Sequence, residues 1–236
     1  LGGICVAARN LALAERRGLD LVTPCPSCYV TLNRANSHLK ADPHIPAMVD
    51  EALAAANLEY RGGVQVRHLM EVLFNDIKPD VIGSKVKRNL SGLKVAPYYG
   101  CQLVRPGYDF DDPEFPQSLD ILIQNLGAEA VPFPLKSRCC GGSLIISEEE
   151  MALGLMRKLL GSAQENGAQC IITPCPLCQT NLDAYQGKVN SKFKTKYHLP
   201  VLFVTQLIGF ALGLGVKALG LEKNIISPMK LLSPYL

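Results

Sequence analysis

The chain has 236 residues, 48% of them hydrophobic and 19% charged, with a net charge of +3. That length can bury a substantial core in one or two domains. The charge is too mild for a nucleic-acid site, and no basic run or interleaved aromatic pattern accompanies it. Nine cysteines, odd in number and grouped as CxxC and CC pairs, favour metal or redox chemistry in a reducing compartment over structural disulfides.

Ile4 to Arg17 is rich in Ala, Leu, Arg and Glu and is predicted as a helix, with Gly18 as its C-cap. Leu19 to Thr23 is a short apolar run, predicted as a buried strand that delivers the chain to Cys25. Tyr29 to Lys40 begins helically, so its first turn follows Cys28 directly. A further helix is expected within Pro43 to Tyr60, over Ala47 to Asn57. Gln65 to Asp76 is predicted as helix, since Val66, Leu69, Val72 and Leu73 recur at helical spacing. Lys78 to Ser91 is polar and basic, and is expected as a surface connection between two halves.

Leu93 to Tyr99 is a predicted strand ending at Cys101, and Asp109 to Pro116 is an acidic, proline-bearing loop. Ser118 to Leu126 is a predicted helix closed by Gly127, and Ala130 to Phe133 a predicted strand. Ser147 is an expected N-cap, and Glu148, Glu149 and Glu150 suit the positive end of a helix running to Gln164. Cys170 to Thr173 is the next predicted strand. Leu202 to Leu214 is the last predicted helix, and its apolar residues nearly encircle it, as in a core helix. The apolar stretch from Pro200 to Leu214 falls short of the ~20 residues a membrane span needs. Alternating strands and helices predict an α/β fold with a mostly parallel sheet.

The chain also repeats itself. Thr173-Pro174-Cys175-Pro176-Leu177-Cys178 has a copy, Thr23-Pro24-Cys25-Pro26-Ser27-Cys28, 150 positions earlier. Leu21-Val22 aligns with Ile171-Ile172, Leu32 with Leu182 and Asn33 with Asp183. Such self-similarity marks an internal duplication. The expected domains are 1–91 and 92–236.

In the second half, Cys101, the Cys139-Cys140-Gly141-Gly142 group and the Cys175/Cys178 pair each follow a predicted strand. Ends of parallel strands converge on one sheet edge, where α/β proteins build their sites. Cys175 and Cys178 alone fit zinc, an iron–sulfur cluster or a redox pair equally. A structural zinc site and an ordinary cluster each use four ligands. A fifth cysteine adjacent to the fourth suits an extended iron–sulfur cluster, with zinc as the alternative. Pro174 and Pro176 stiffen the loop, and Gly141 and Gly142 allow close backbone approach. Cys5 and Cys170 are expected as small apolar core residues. The 150-residue offset places the partners of Cys25 and Cys28 before Leu1, so further ligands of that site are expected upstream.

The spacing Cys-x37-Cys-Cys-Gly-x33-Cys-x2-Cys resembles the cysteine-rich CCG domain. Tyr98-Tyr99-Gly100-Cys101-Gln102-Leu103, Phe110-Asp111-Asp112-Pro113 and the stretch from Pro200-Val201-Leu202 through Gln206-Leu207 to Leu212-Gly213 are similar to the B-type subunit of heterodisulfide reductases. The resemblance implies two pseudo-repeated CCG domains, each with a small, mostly parallel sheet flanked by helices. It implies a noncubane [4Fe-4S] cluster on Cys101, Cys139, Cys140, Cys175 and Cys178. Cys25 and Cys28 would be two ligands of a second, whose other ligands lie upstream. It further implies a catalytic subunit reducing a small disulfide to two thiols, fed by partner subunits that carry flavin and cubane iron–sulfur clusters. The expected location is the cytoplasm, with attachment to a membrane only through partners.

The alternative is a CCG-type electron-transfer subunit of a lactate, glycolate or succinate oxidoreductase complex. Among proton donors, His68 and His198 are candidates by type only, and each is more often a surface or packing residue. Lys94, Arg105 and Arg138 lie near the cysteine groups in sequence and could attract an anionic substrate.

Overall fold

A computed structural model describes residues 2–41, 44–105 and 110–236, with the side chains of residues 44–46 left aside. Pro43 and Asp109, which open two of the predicted segments, lie outside the described residues. The chain divides into two compact units, Leu1–Val72 and Leu73–Leu236. Residues 73–91, expected to close the first domain, therefore fall in the second unit.

The first unit contains α1 (Gly2–Glu15), β1 (Leu21–Thr23), α2 (Pro26–Ala41), α3 (His44–Ala54) and β2 (Val66–His68). β2 runs directly into a helical turn, α4 (Leu69–Glu71), and then a π-helical segment, Val72–Ile77. β1 and β2 pair in parallel, with Leu21 opposite Val66 and Thr23 opposite His68. Ala8 and Ala12 of α1 pack against Val49 and Leu53 of α3, and the half-buried Cys5 joins them as an apolar side chain. The predicted helix over Gln65 to Asp76 is thus corrected. Its first residues are a strand, because their backbone is drawn into pairing with β1, and only the remainder is helical.

The second unit contains α5 (Pro79–Gly83), β3 (Lys94–Pro97), α6 (Ser118–Asn125), β4 (Glu129–Ala130), α7 (Glu149–Glu165) and β5 (Cys170–Thr173). These are followed by α8 (Pro176–Ala184), α9 (Gln186–Phe193), β6 (Val201–Phe203), α10 (Val204–Ala211) and α11 (Met229–Leu232). Its four strands lie in the order β4-β3-β5-β6, all parallel. The central strands are apolar on both faces, as a covered parallel sheet requires. Ala96, Ile171 and Val201 share one core cluster with Leu153, Met156, Leu159, Leu160 and Ala163 of α7. The alternate residues Val95, Cys170, Ile172 and Leu202 are equally buried. Cys170 is fully enclosed, and burial pushes its thiol up to about 12, which fits a structural role.

Three further expectations change. Residues 78–91 are packed rather than superficial. Pro79, Ile82 and Leu90 are buried, and the N–H groups of Lys87 and Arg88 both donate to Ala211 O at 2.9 Å. Arg88 also lies over the Phe210 ring, 4.9 Å from its centroid. Ser147 does not cap α7: the N-cap is Glu148, without a side-chain bond, while Glu149 and Glu150 occupy the first turn. The predicted helix over Leu202 to Leu214 is a strand followed by a helix, since β6 pairs with β5 before α10 begins. α10 is nonetheless core, with Leu207, Phe210 and Ala211 buried. Among the described residues, no helix is long and apolar enough to cross a membrane.

The acidic segment after Asp109 has no regular structure up to the start of α6, and its carboxylates explain why. Asp112 Oδ1 accepts the N–H groups of Glu114 and Phe115 at 2.8 and 2.7 Å. Asp111 accepts those of Gln117 and Ser118, which supplies the opening turn of α6 with acceptors.

His68 ends β2 with only 1% of its surface exposed. Its Nδ1 accepts the Met70 N–H at 3.1 Å, so the ring caps α4. Burial lowers its pKa from 6.5 to about 4. As pH falls below 6.5, the unfolded chain gains a proton that the folded ring refuses. The stability this neutral ring contributes is present above pH 6.5 and is lost as pH falls through about 4. The full effect is about 3 kcal/mol. Urea unfolding of the chain is expected to show a lower midpoint at pH 4.5 than at pH 7, and H68F is expected to flatten that dependence.

Candidate metal centre

Three loops of the second unit carry five cysteines. β3 and β5 are neighbours and run in the same direction, so the segments after Pro97 and Thr173 leave the sheet at one edge. The third loop, residues 131–142, follows β4 on the other side of β3. Its Lys136 carbonyl accepts the N–H groups of Tyr99 and Gly100 at 2.9 and 3.1 Å. The Tyr98 hydroxyl donates to Arg138 O at 2.7 Å, and Asn181 Nδ2 donates to Cys140 O at 2.9 Å. Backbone carbonyls therefore hold the Cys139-Cys140 loop to the other two.

The sulfurs meet as linked pairs. Cys140 Sγ and Cys178 Sγ are 3.5 Å apart. Cys178 is hydrogen-bonded to Cys175 as well, and Cys101 to Cys139. Cys140, Cys175 and Cys178 are buried, whereas Cys101 and Cys139 are half-buried. Among the described residues, no three His, Cys, Asp or Glu side chains surround a single metal-ion position.

Backbone N–H groups point at the sulfurs. Gly141 N–H donates to Cys139 Sγ, Gly142 N–H to Cys140 Sγ and Cys178 N–H to Cys175 Sγ, each at 3.3 Å. The proton affinities divide accordingly. The bond from Cys101, supported by Gly141 N–H, holds Cys139 at about 6. Its bond to Cys178 lowers Cys140, and a bond to Cys178 also lowers Cys175. Cys101 and Cys178 are pushed up, Cys101 first by its bond to Cys139 and Cys178 first by its bond to Cys140. Three thiolate-prone sulfurs and two thiols, linked as the pair Cys101–Cys139 and the trio Cys140–Cys178–Cys175, form a soft, all-sulfur donor set. Such a set fits iron–sulfur ligation.

Two glycines make this closeness possible. Gly141 has φ +77°, and a Cβ there would lie 2.8 Å from Ala152 Cα of α7. Gly100 has φ +73°, and a Cβ there would lie 3.2 Å from Cys178 Sγ. Any other side chain would strain the backbone and crowd the site.

A cavity of ≈ 440 Å³ opens beside Cys101 and Cys139. Leu135, Leu155 and Leu159 form its apolar wall, and Arg105, Arg138 and Lys158 bring positive charge. Arg105 is steadied by Ser137 Oγ and Glu114, both at 3.1 Å. Lys158 was not anticipated: it lies on α7, 19 residues after Cys139, and only the packing of α7 brings it here. Lys94 is exposed at the start of β3, the end away from the cysteines, and does not line the cavity.

The first unit repeats the turn. Thr23 Oγ1 accepts the Cys25 N–H at 3.1 Å, as Thr173 Oγ1 accepts that of Cys175 at 3.3 Å. Cys28 falls in the first turn of α2, as Cys178 does in α8. The solvent contrast is strong: Cys28 is exposed and Cys25 half-buried. Partial burial still raises the Cys28 thiol, with its bond to Cys25 adding to the effect. His198 is exposed, whereas His68 lies buried at the end of β2, opposite Thr23. Among the described residues its Nε2 has no hydrogen-bond partner, a deficit worth roughly 1–3 kcal/mol.

Comparison with known proteins gives a consistent picture. Residues 4–33 and 95–183 match the family model of the CCG cysteine-rich domain. The 8-methylmenaquinol:fumarate reductase membrane anchor subunit of Wolinella succinogenes is 39% identical over 98% of this chain and 81% of its own length. The B-type subunit of a ferredoxin/F420H2-dependent CoB-CoM heterodisulfide reductase of Methanosarcina acetivorans is 36% identical over 98% of this chain and 78% of its own. A hypothetical protein from Helicobacter pylori has a similar fold, with a TM-score of 0.76 and 20% identity. That match covers 95% of this chain, which spans 41% of that protein. The chain belongs to the CCG cysteine-rich domain family and is a relative of the B-type subunits of heterodisulfide reductases.

Proposed function

We propose that the chain is an iron–sulfur subunit of a multi-subunit oxidoreductase that reduces a small disulfide to two thiols. The convergence of Cys101, Cys139, Cys140, Cys175 and Cys178 carries this reading. These five would hold a noncubane [4Fe-4S] cluster, and Cys25 and Cys28 would contribute to a second. Bound there, such a group supplies one-electron chemistry and a soft iron with affinity for sulfur.

The chain's own residues prepare the site in three ways. Gly141, Gly142 and Cys178 donate backbone N–H groups to sulfur, which stabilises thiolate and raises reduction potential. The leucine wall beside Cys101 keeps part of the cavity dry, and Arg105, Arg138 and Lys158 attract an anionic substrate toward it. Pro174 and Pro176 fix the turn that presents Cys175 and Cys178, so little ordering is needed on binding. Electrons would come from partner subunits carrying flavin and cubane clusters.

A second reading has its own support. The Wolinella relative is named as a subunit of a menaquinol:fumarate reductase. In that case the site would relay electrons without cleaving a disulfide. The cavity reaching Cys101 and Cys139 favours the first reading, since a relay needs no substrate-sized opening at its ligands.

Anaerobic reconstitution of the full-length protein with iron and sulfide should give a brown product. C140A and C178A should each remove about four irons per chain, counted by metal analysis and followed by electron paramagnetic resonance. Zinc in place of iron, or unchanged iron in both variants, would defeat the ligand assignment. With reconstituted complex and an anionic disulfide, the R138A/K158A variant should raise KM about fivefold while kcat stays within about twofold. The KM increase should shrink at high salt. A fully loaded complex that reduces no disulfide yet passes electrons to a quinone or fumarate site would establish the relay reading.

A further inference from the structure

α8 grips the Cys139-Cys140 loop twice. Cys178, in its first turn, places Sγ 3.5 Å from Cys140 Sγ. Asn181 stands one turn further along the same helix face, and its Nδ2 donates to Cys140 O at 2.9 Å. Asn181 is only 2% exposed. Asparagine is a poor helix former that favours caps and solvent, and this one has neither. Its Oδ1 finds no partner among the described residues. An apolar side chain of similar size would fill the space without that orphaned acceptor. What the asparagine adds is therefore its donor.

A carboxamide nitrogen carries two protons. One is committed to Cys140 O. The other serves the sulfur of the same residue: the Cys140 thiol is lowered first by its bond to Cys178, with Gly142 N–H and the Asn181 amide adding to the effect. Gly141, Gly142 and Cys178 also serve sulfurs, but through backbone N–H groups. Asn181 does so through a side chain. The 150-residue repeat puts Thr31 at this position in the first unit, where it is exposed on α2. The feature thus belongs to the second copy of the turn.

We propose that Asn181 is a positioning residue that holds Cys140 by its carbonyl and its sulfur together, and so raises the reduction potential of the group ligated there. This rests on the reading of the five cysteines as iron–sulfur ligands. Hydrogen bonds to sulfur offset the negative charge gained on reduction, which raises the potential. The bond to Cys140 O fixes where the loop stands, and the bond to Sγ acts on the electron.

The test uses the full-length protein, reconstituted anaerobically, as wild type, N181L, N181D and N181Q. Circular dichroism checks the fold and metal analysis the iron. A redox titration followed by electron paramagnetic resonance gives the midpoint of the centre that C140A removes. N181L and N181D should keep their iron and disfavour reduction about tenfold, a shift of ~59 mV for one electron. N181D preserves the shape, but in neither protonation state does it supply two protons. N181Q, which retains the amide one methylene further out, should shift the midpoint less. An unchanged midpoint in whichever of N181L and N181D is folded and loaded overturns the tuning role alone. Loss of iron from both overturns it too, in favour of a purely structural anchor. If the wild type takes up zinc in place of iron, or C140A keeps the wild-type iron, the underlying reading falls with the proposal.

Discussion

The site depends on β3 and β5 being parallel neighbours. Because both chains run the same way, the segments that follow them emerge together, and Cys101 is delivered to Cys175 and Cys178 without a long excursion. An antiparallel arrangement of the same strands would send the two loops to opposite ends of the sheet. The Lys136 carbonyl completes the junction by binding two successive N–H groups of the β3 loop. Burial of apolar residues on both sheet faces holds this edge in place.

Much of this was legible in the residues. The repeated Thr-Pro-Cys-Pro-x-Cys turn identified both copies, and short apolar runs ahead of Cys25 and Cys175 marked their strands. Cys5 and Cys170 behaved as apolar side chains because each stands alone within a helix or strand, outside the CxxC and CC groups. β2 and β6 were hidden for a physical reason. Each is three residues long and passes straight into a helix, so strand and helix blend into one apolar segment. Only pairing with a distant partner separates them. The same holds for Lys158 and Asn181. They stand on helices at ordinary positions, and tertiary packing brings them to the cavity and to the Cys140 carbonyl.

The duplication is closer in structure than the sequence offset suggests. Thr23 pairs with His68 and Thr173 with Phe203, so the partner strand comes 45 residues later in one copy and 30 in the other. Both connections carry two helices, of 16 and 11 residues in the first unit and of 9 and 8 in the second, so the first has longer helices around the same cysteine turn. Insertion between the two strands is tolerated, because loop length costs little once the ends are fixed. What distinguishes the halves lies at single positions within a shared frame: His68 against Phe203, and an exposed Cys28 against a buried Cys178.

Gly141 lies so close to Ala152 that no slack remains between the CysCysGlyGly loop and α7. The outer end of that helix is itself tied to α9, through Glu149 with Lys188 and Glu150 with Lys192. The loop is therefore packed tightly onto the first turn of α7, while only exposed ion pairs join that turn to α9. Enlarging residue 141 would wedge the first turn of α7 away from the two adjacent sulfurs.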